Sequence, residues 1–152
     1  MFASLIAMLA VAAAPPPDVT RGAFVDVCLP YVTGETNDTA ALEFLGFAPT
    51  PGGEGGAYQT GDEAHLLRLT TTGTEADGNL SRICVIQSRR GGLDAAKGSV
   101  TPVLRDQGFS PEAGAPADRP IWTKGGVTVS LRQNEGRATI VRVTWSSLDA
   151  GL

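Results

Sequence analysis

The clearest pattern in the chain is a two-residue alternation of apolar and polar side chains near its C-terminal end. Val127, Val129 and Leu131 alternate with hydroxyl-bearing and basic residues, which is typical of a half-buried antiparallel strand. Turn residues follow at 134–136, and a second alternating run over residues 140–145 completes a predicted hairpin. One side of each strand is therefore expected to pack on a core, and the other to face solvent.

Helical patterns precede strands of this kind in both halves of the chain. Residues 21–31 predict a short helix that ends near Pro30, and a second helix is predicted to run to Leu45. Residues 93–106 are also compatible with a helix, although Pro102 is expected to divide it into two pieces near Gly98. The expected fold therefore mixes helices and strands.

The sequence contains an approximate internal repeat. Residues 41–49 align with residues 103–111 at a shift of 62, and both segments end a helix with Gly-Phe, a small residue and Pro. The strand-like runs that follow align in the same order: 58–60 with 121–123, 66–69 with 127–131, and 83–86 with 140–145. The repeat predicts an α+β fold of two α-βββ units, over residues 20–88 and 93–147. These units are expected to form one antiparallel sheet of about six strands with helices on one face.

The first 14 residues form an apolar segment that ends at three prolines. Such a segment is typical of a secretory signal peptide and is too short to span a bilayer as a helix. We therefore predict a signal peptide over residues 1–14, a linker over 15–19 and a single domain over 20–152. The first four residues carry no charged side chain, unlike most signal peptides, so an ordinary N-terminal helix is the alternative. The predicted location is periplasmic or secreted.

Charge and hydropathy exclude two classes of partner. The formal net charge is −4 and the pI is about 4.9, whereas a nucleic-acid-binding protein normally shows an excess of basic residues. No second apolar run is long enough to cross a membrane, so no stable membrane insertion is predicted after signal cleavage. Interaction with nucleic acid is likewise not expected.

The two cysteines, Cys28 and Cys84, are 56 positions apart. In an exported chain they predict a disulfide, which contributes about 4 kcal/mol to stability in the loop-entropy model. Buried free thiols and a catalytic thiol are the alternatives. One histidine and two widely spaced cysteines match no zinc-ligand pattern, and no nucleotide-binding glycine motif occurs. Neither a metal nor a cofactor is therefore predicted.

Arginines outside the predicted core are the first candidates for a binding site. If the apolar strand positions face the helices, Arg132 and Arg142 point outward and are joined by Arg68. Arg89 and Arg90 are a second candidate, because they precede two glycines between a strand and a helix. Backbone N–H and guanidinium groups at such a place can hold an anion. The alternative for both sets is a solvated surface without a partner.

The single histidine, His65, follows two adjacent carboxylates, Asp62 and Glu63. These residue types can carry acid-base chemistry, so a small periplasmic hydrolase or lyase with a site near His65 is the alternative function. A polar turn before a strand explains the same residues. A deep pocket that gathers His65 with two or more of Asp62, Glu63, Arg89 and Arg90 would favour the enzyme, whereas a flat or grooved exposed sheet would favour binding.

Several local features together suggest a resemblance. They are the apolar leader, Phe24 and Cys28 in a helix, the helix end from Leu42 to Phe47, and Cys84 in an Ile-Cys-Val-Ile strand. In these features the chain resembles a loose group of small uncharacterised exported proteins of proteobacteria. Its plan also resembles, in outline, the tandem-repeat β-lactamase inhibitor proteins. It departs from them in having three predicted strands per half instead of four, and too few cysteines for a bridge in each half.

Neither resemblance implies a functional residue in this chain. The residues themselves predict an exported binding or inhibitory module without catalytic activity. It is expected to act through its exposed sheet face or its glycine-rich loops. The expected partner is a protein or an anionic ligand, and the state of oligomerisation is left open.

Overall fold

The computed structural model describes residues 14–35, 40–133, 136 and 138–151. The predicted signal peptide lies outside these residues, except for Ala14. The architecture is α+β, with one antiparallel sheet of eight strands and a small number of helices packed on one side of it. Among the described residues, no helix is both long enough and apolar enough to cross a membrane.

The helices of the first half form one nearly continuous stretch. Helix α1 spans Val19–Gly22, a π-helical segment spans Ala23–Cys28, and helix α2 spans Leu29–Thr33. The side chain of Asp18 accepts a hydrogen bond from the N–H of Arg21 and so caps the start of α1. The helical stretch does not end near Pro30 as the sequence predicted. That proline is the second residue of α2, directly after the π-helical segment, and the helix continues beyond it to Thr33.

Two further helices follow: α3 over Ala40–Phe44 and α4 over Gly92–Asp106. The predicted division of α4 near Gly98 is wrong, because the helix continues through Pro102. Proline offers no N–H to the carbonyl of Gly98, four residues earlier. The residue is exposed on the surface of α4, so water can hydrate the groups that proline leaves without a helical partner.

The eight strands form two consecutive meanders that meet in the middle of the sheet. They are β1 (Phe47–Pro49), β2 (Ala57–Thr60), β3 (His65–Thr72), β4 (Ser81–Ser88), β5 (Ser110–Pro111), β6 (Ile121–Lys124), β7 (Val127–Gln133) and β8 (Thr139–Ser146). Their order across the sheet is β1-β2-β3-β4-β8-β7-β6-β5. The first four strands therefore occupy one half of the sheet and the last four the other, joined by the β4–β8 pair.

The sheet has eight strands and not about six, because a short strand follows each Gly-Phe motif. These strands are β1 and β5, and they form the two edges of the sheet. Each contains the proline that the sequence pattern placed after the helix, Pro49 in β1 and Pro111 in β5. Proline cannot donate to a strand ladder, but an edge strand needs partners on one side only.

The core lies between the helices and one face of the sheet. Its largest fully buried side chains include Phe24 from the π-helical segment, Leu104 from α4 and Leu131 from β7. Cys28 and Cys84 are at disulfide distance, with their Cα atoms 5.3 Å apart, and both are fully buried. This bridge ties the π-helical segment to β4, and neither cysteine is a free thiol.

Candidate binding sites on the open face and at the His65 cleft

The face of the sheet opposite the helices carries one of the two candidate sites. We call it the open face and define it by twelve central positions on β3, β4, β8 and β7. Strand pairing arranges these positions in three rows: Leu66–Gln87–Ile140–Arg132, Arg68–Val85–Arg142–Ser130, and Thr70–Ile83–Thr144–Thr128. The intervening residues, such as Leu67 and Val143, belong to the core, so the alternation of side chains fixes which positions face outward.

The open face is basic although the chain as a whole is acidic. Its twelve defined positions include three arginines, Arg68, Arg132 and Arg142, and no carboxylate, in a chain whose net charge is −4. All three arginines are exposed. The Glu54 carboxylate, from the glycine-rich loop between β1 and β2, approaches the Arg68 guanidinium to 3.5 Å. Because both side chains are exposed, this ion pair holds Arg68 only weakly.

Apolar side chains lie between the arginines. Val85 separates Arg68 from Arg142 within one row, and Ile140 lies beside Arg132 in the next. A shallow depression of about 450 Å³ opens here, lined in part by Leu66, Val85 and Ile140. The open face therefore combines an apolar centre with positive charges around it.

Arg89 and Arg90 lie apart from each other. Arg89 is exposed and lines a depression of about 500 Å³ together with Gln87, so it lies at the edge of the open face. Arg90 forms an ion pair with Asp62, with 3.1 Å between Nη2 and Oδ2. The first N–H groups of α4 also have competing partners, because the Leu93 N–H donates to the Gln133 side-chain oxygen. Arg89 and Arg90 therefore do not form the joint anion site that the sequence predicted.

The second candidate site is a cleft of about 710 Å³ beside His65, which we call the His65 cleft. Five parts of the chain form it: the segment before α1 with the start of α1, the residues just after α3, the turn between β2 and β3, the end of β4 with the loop after it, and the first half of α4. It gathers His65 with Asp62 and Arg90, while Glu63 and Arg89 are not part of its lining. This grouping contains the residues that the sequence analysis required for an enzyme site, but they line an open cleft and not a deep pocket.

Hydrogen bonds around Ser88 define the protonation of His65. The Ser88 hydroxyl donates to the Arg90 carbonyl at 3.0 Å and accepts from the Arg90 N–H at 3.3 Å. The remaining contact joins Ser88 Oγ to His65 Nε2 at 3.3 Å. Because the single hydroxyl hydrogen is already donated to Arg90, we assign the proton of the imidazole to Nε2, which donates to Ser88. This assignment leaves His65 Nδ1 as an acceptor.

Electrostatics at the cleft keep His65 neutral and Asp62 ionised. Partial burial lowers the pKa of His65 below its ordinary 6.5. The Arg90 charge acts in the same direction, while the carboxylates of Asp62 and Asp18 oppose it. The hydrogen bond from the Thr60 hydroxyl lowers the pKa of Asp62 below 3.8, helped by the N–H of Ala64 and by Arg90. The cleft therefore presents a neutral imidazole beside fixed charges.

Sequence reasoning missed three polar residues of the cleft. Asp18 fell in the predicted linker, yet one of its oxygens caps α1 and the other accepts from the Ser99 hydroxyl at 2.7 Å. Ser88 is buried at the end of β4, directly opposite His65 at the start of β3. The helix-cap pattern at Asp18 is visible in the sequence, but the contact with Ser88 requires the β3–β4 register.

No metal site accompanies either surface: the described part of the chain holds no cluster of three or more His, Cys, Asp or Glu side chains suited to a metal ion. Comparison with known families, curated proteins and solved structures yields no match to this chain. The resemblance to exported proteobacterial proteins therefore stays a prediction, and the function must be argued from the two surfaces themselves.

Proposed function

We propose that this protein is an exported, non-catalytic binding or inhibitory module whose open face engages an acidic protein surface. The observation that carries the proposal is the charge of that face. Three exposed arginines and no carboxylate occupy its twelve defined positions in a chain of net charge −4. An even distribution of the chain's charges would place carboxylates there as well. The excess of positive charge is therefore suited to an acidic partner.

The spacing of the arginines favours a protein over a small anion. Arg68 and Arg142 stand in one row, two strands apart, which separates their Cα atoms by about 10 Å. Arg132 lies one strand further, in the neighbouring row. Contact with all three arginines at once suits a partner with several acidic groups better than a single phosphate or carboxylate. A protein with several acidic side chains around an apolar projection matches both the arginines and the depression at Val85.

Two features support export to the periplasm or the cell exterior. The apolar leader of residues 1–14 has the composition of a signal peptide. The Cys28–Cys84 bridge suits an oxidising compartment, because thiols in the cytosol are normally kept reduced. Membership of the exported proteobacterial group that the chain resembles is proposed on the same grounds.

We also propose that the two halves are copies of one ancestral unit. The aligned segments 41–49 and 103–111 support this, as does the arrangement of β1–β4 and β5–β8 as two meanders of the same order. Each unit would then contain four strands and not the three that the sequence predicted. With four strands per half, one of the two departures from the tandem-repeat β-lactamase inhibitor plan disappears.

A hydrolase or lyase at the His65 cleft is the second candidate function. The neutral imidazole favours it, since a histidine with a lowered pKa is a base at neutral pH. The hydrogen bonding of Ser88 argues against a serine nucleophile, because the Ser88 hydroxyl is closer to the Arg90 carbonyl, at 3.0 Å, than to His65 Nε2, at 3.3 Å. His65 would therefore have to take a proton from water or from the substrate itself. For this reason we rank the binding function above the enzymatic one.

The open-face proposal can be tested by site-specific cross-linking. The protein carries a photoreactive residue at Thr144, which lies two residues after Arg142 on β8 and on the same face, and is mixed with an extract of exported proteins from the source cells. We expect one discrete acidic protein to be captured, and its apparent affinity to fall at least tenfold in the Arg68→Glu, Arg142→Glu double variant. Arg119→Glu, an exposed position in the loop before β6, is the matched control and should change little.

Three results would contradict this proposal. One is retention of the same partner by the charge-reversed variant with unchanged affinity. Another is an equal loss in the Arg119→Glu control, which would indicate a general effect of net charge. The third is competition by millimolar inorganic phosphate alone, which would identify the face as a small-anion site. Raising the salt concentration should weaken the expected complex, because exposed charges are screened.

A further inference from the structure

Two side chains that line the His65 cleft have hydrogen-bond acceptor sites still available. His65 Nδ1 accepts no hydrogen bond from any group in the described part of the chain. Each oxygen of the Asp18 carboxylate accepts one hydrogen bond, and each can accept another. A ligand that donates hydrogen bonds can therefore use the acceptor sites on His65 and Asp18.

The charges of the cleft point to the same kind of ligand. Its lining contains the carboxylates of Asp18 and Asp62 and the guanidinium of Arg90, which leaves one negative charge when His65 is neutral. Arg90 is already paired with Asp62. The Asp18 carboxylate has no cationic partner among the ion pairs of the described residues. A ligand with a positive charge would balance it.

Two glycines of the cleft have no structural reason to be glycine. Gly61 and Gly98 have ordinary backbone angles, and a Cβ built on either would meet no atom within 4 Å. Gly98 also lies in the interior of α4, where alanine is far more favourable. Both residues line the cleft and both are exposed, so a methyl group at either place would enter open space at the cleft lining. Glycine at these places leaves that space free for a ligand.

We propose that the His65 cleft binds a small molecule that carries a protonated primary amine on an apolar body. An ammonium group has three donors and no acceptor, which matches His65 Nδ1 and the Asp18 carboxylate. The side chains of Val19 and Leu45 and the rings of Pro16 and Pro17 supply apolar lining. The cleft volume of about 710 Å³ is in the usual range for small-molecule sites. This site is separate from the open face and does not depend on the function proposed for that face.

Three probes of similar shape test the charge preference. They are 2-phenylethylammonium, 2-phenylethanol and 3-phenylpropionate, titrated by calorimetry at neutral pH while the His65 imidazole ¹⁵N resonances are followed by NMR. We expect the ammonium to bind at least tenfold more tightly than the other two and to shift the Nδ1 resonance. A dipeptide amide with a free N-terminus, compared with its acetylated form, shows whether a peptide amine also enters. Binding of the carboxylate with equal or higher affinity, or absence of ammonium binding, overturns the proposal.

Two substitutions separate binding from folding. Asp18→Asn keeps a good helix cap but removes the charge, so we expect about tenfold weaker ammonium binding with an intact fold. Asp26→Asn removes the same charge at an exposed position that does not line the cleft, and should leave the affinity unchanged. Gly98→Ala should raise the melting temperature by about 3 °C while weakening ammonium binding at least tenfold. Unchanged affinity in both Asp18→Asn and Gly98→Ala would show that the ammonium binds elsewhere.

Discussion

The third strand of each meander begins with a residue of very different character. In the first half, β3 begins with His65, which pairs with Ser88 near the end of β4. In the second half, β7 begins with Val127, which pairs with Trp145 near the end of β8. Val127 is buried in the core, and Trp145 packs against it with the Arg82 guanidinium 5.3 Å from its ring centre. One position is polar and borders a cleft, while the other is apolar and part of the core.

This difference shows that the polar pair is not required by the sheet. The pair of Val127 and Trp145 satisfies the same strand register with apolar contacts alone. A buried polar group such as Ser88 stabilises nothing unless it is hydrogen-bonded, and its bonds here serve the Arg90 backbone and His65. The first half therefore carries polar groups at a place where its counterpart does without them, which is expected of a binding site and not of a core.

Removal of the disulfide is the test of the difference between the two halves with the largest expected effect on stability. Leu69 of β3 pairs with Cys84, and at the corresponding position Leu131 of β7 pairs with Val141. We expect Cys28→Ala, Cys84→Ala to lower the free energy of unfolding by about 4 kcal/mol, because the bridge closes a loop of 56 positions. Val141→Ala should cost about 2 kcal/mol through lost packing. Urea denaturation measures both.

Reduction of the wild-type disulfide with dithiothreitol is the control for this prediction. It should reproduce most of the loss seen in the double alanine variant, because the chain entropy is released in both. If the double variant loses less free energy of unfolding than Val141→Ala does, packing stabilises the first half in the same way as the second. The comparison between the halves would then be wrong at this position.

Much of the sheet could be predicted from the sequence. The alternation over residues 127–131 and 140–145 gave β7 and β8, with Arg132 and Arg142 on the side away from the core. This prediction succeeded because side chains alternate between the two faces of a strand. When one alternating set is apolar, that set faces the core and the other set faces away from it. The pairing of Cys28 with Cys84 was predicted from the presence of two cysteines in a chain predicted to be exported. The disulfide is present in the structure.

The errors came from proline and from strand register. Pro49 and Pro111 indicated only that a helix ends, but edge strands accept proline, and β1 and β5 were missed. Pro102 argued for a break in α4, which its exposed position makes unnecessary. The contact between His65 and Ser88 spans 23 positions and depends on how β3 and β4 align, which no local pattern specifies.

Replacement of the polar pair of His65 and Ser88 by apolar residues is expected to have an intermediate effect on the free energy of unfolding. Ser88→Ala alone should cost about 1 to 2 kcal/mol, because the Nε2–H of His65 loses its acceptor in a partly buried place. Adding His65→Val, which imitates Val127, should recover about 0.5 to 1 kcal/mol, since no unpaired ring nitrogen then remains. A double-mutant cycle by urea denaturation measures the coupling. Additive losses would show that the two side chains do not interact.

The same double variant should lose ammonium binding, whereas Val127→Ala, made in the second half, should leave binding unchanged even though it destabilises the core. This control separates loss of the site from loss of stability. Ammonium binding that survives in the double variant would contradict the role of His65 Nδ1. The polar pair of His65 and Ser88 would then have no role in ammonium binding.

The smallest effect is expected in the dependence of stability on pH. His65 is the one histidine of the chain, and its pKa in the folded protein lies below the 6.5 of an unfolded chain. As the pH falls through 6.5, the unfolded state therefore takes up a proton more readily than the folded state, and stability decreases. The decrease levels off below the folded pKa. Asp62 adds a further loss only in stronger acid, since its folded pKa is below 3.8.

This pH dependence belongs to the first half alone, because Val127 at the corresponding place does not titrate. Urea midpoints measured at pH 7.5, 6.5 and 5.5 should fall steadily in the wild type. In His65→Val the part of the slope due to the imidazole should vanish, while Val127→Ala should lower all midpoints without changing their slope. Arg90→Gln offers a finer test. The positive charge of Arg90 lowers the pKa of His65, so removal of this charge should make the dependence of the urea midpoint on pH shallower. A wild-type protein that becomes more stable on acidification would reverse the sign and show that the carboxylates of Asp62 and Asp18 outweigh burial at His65.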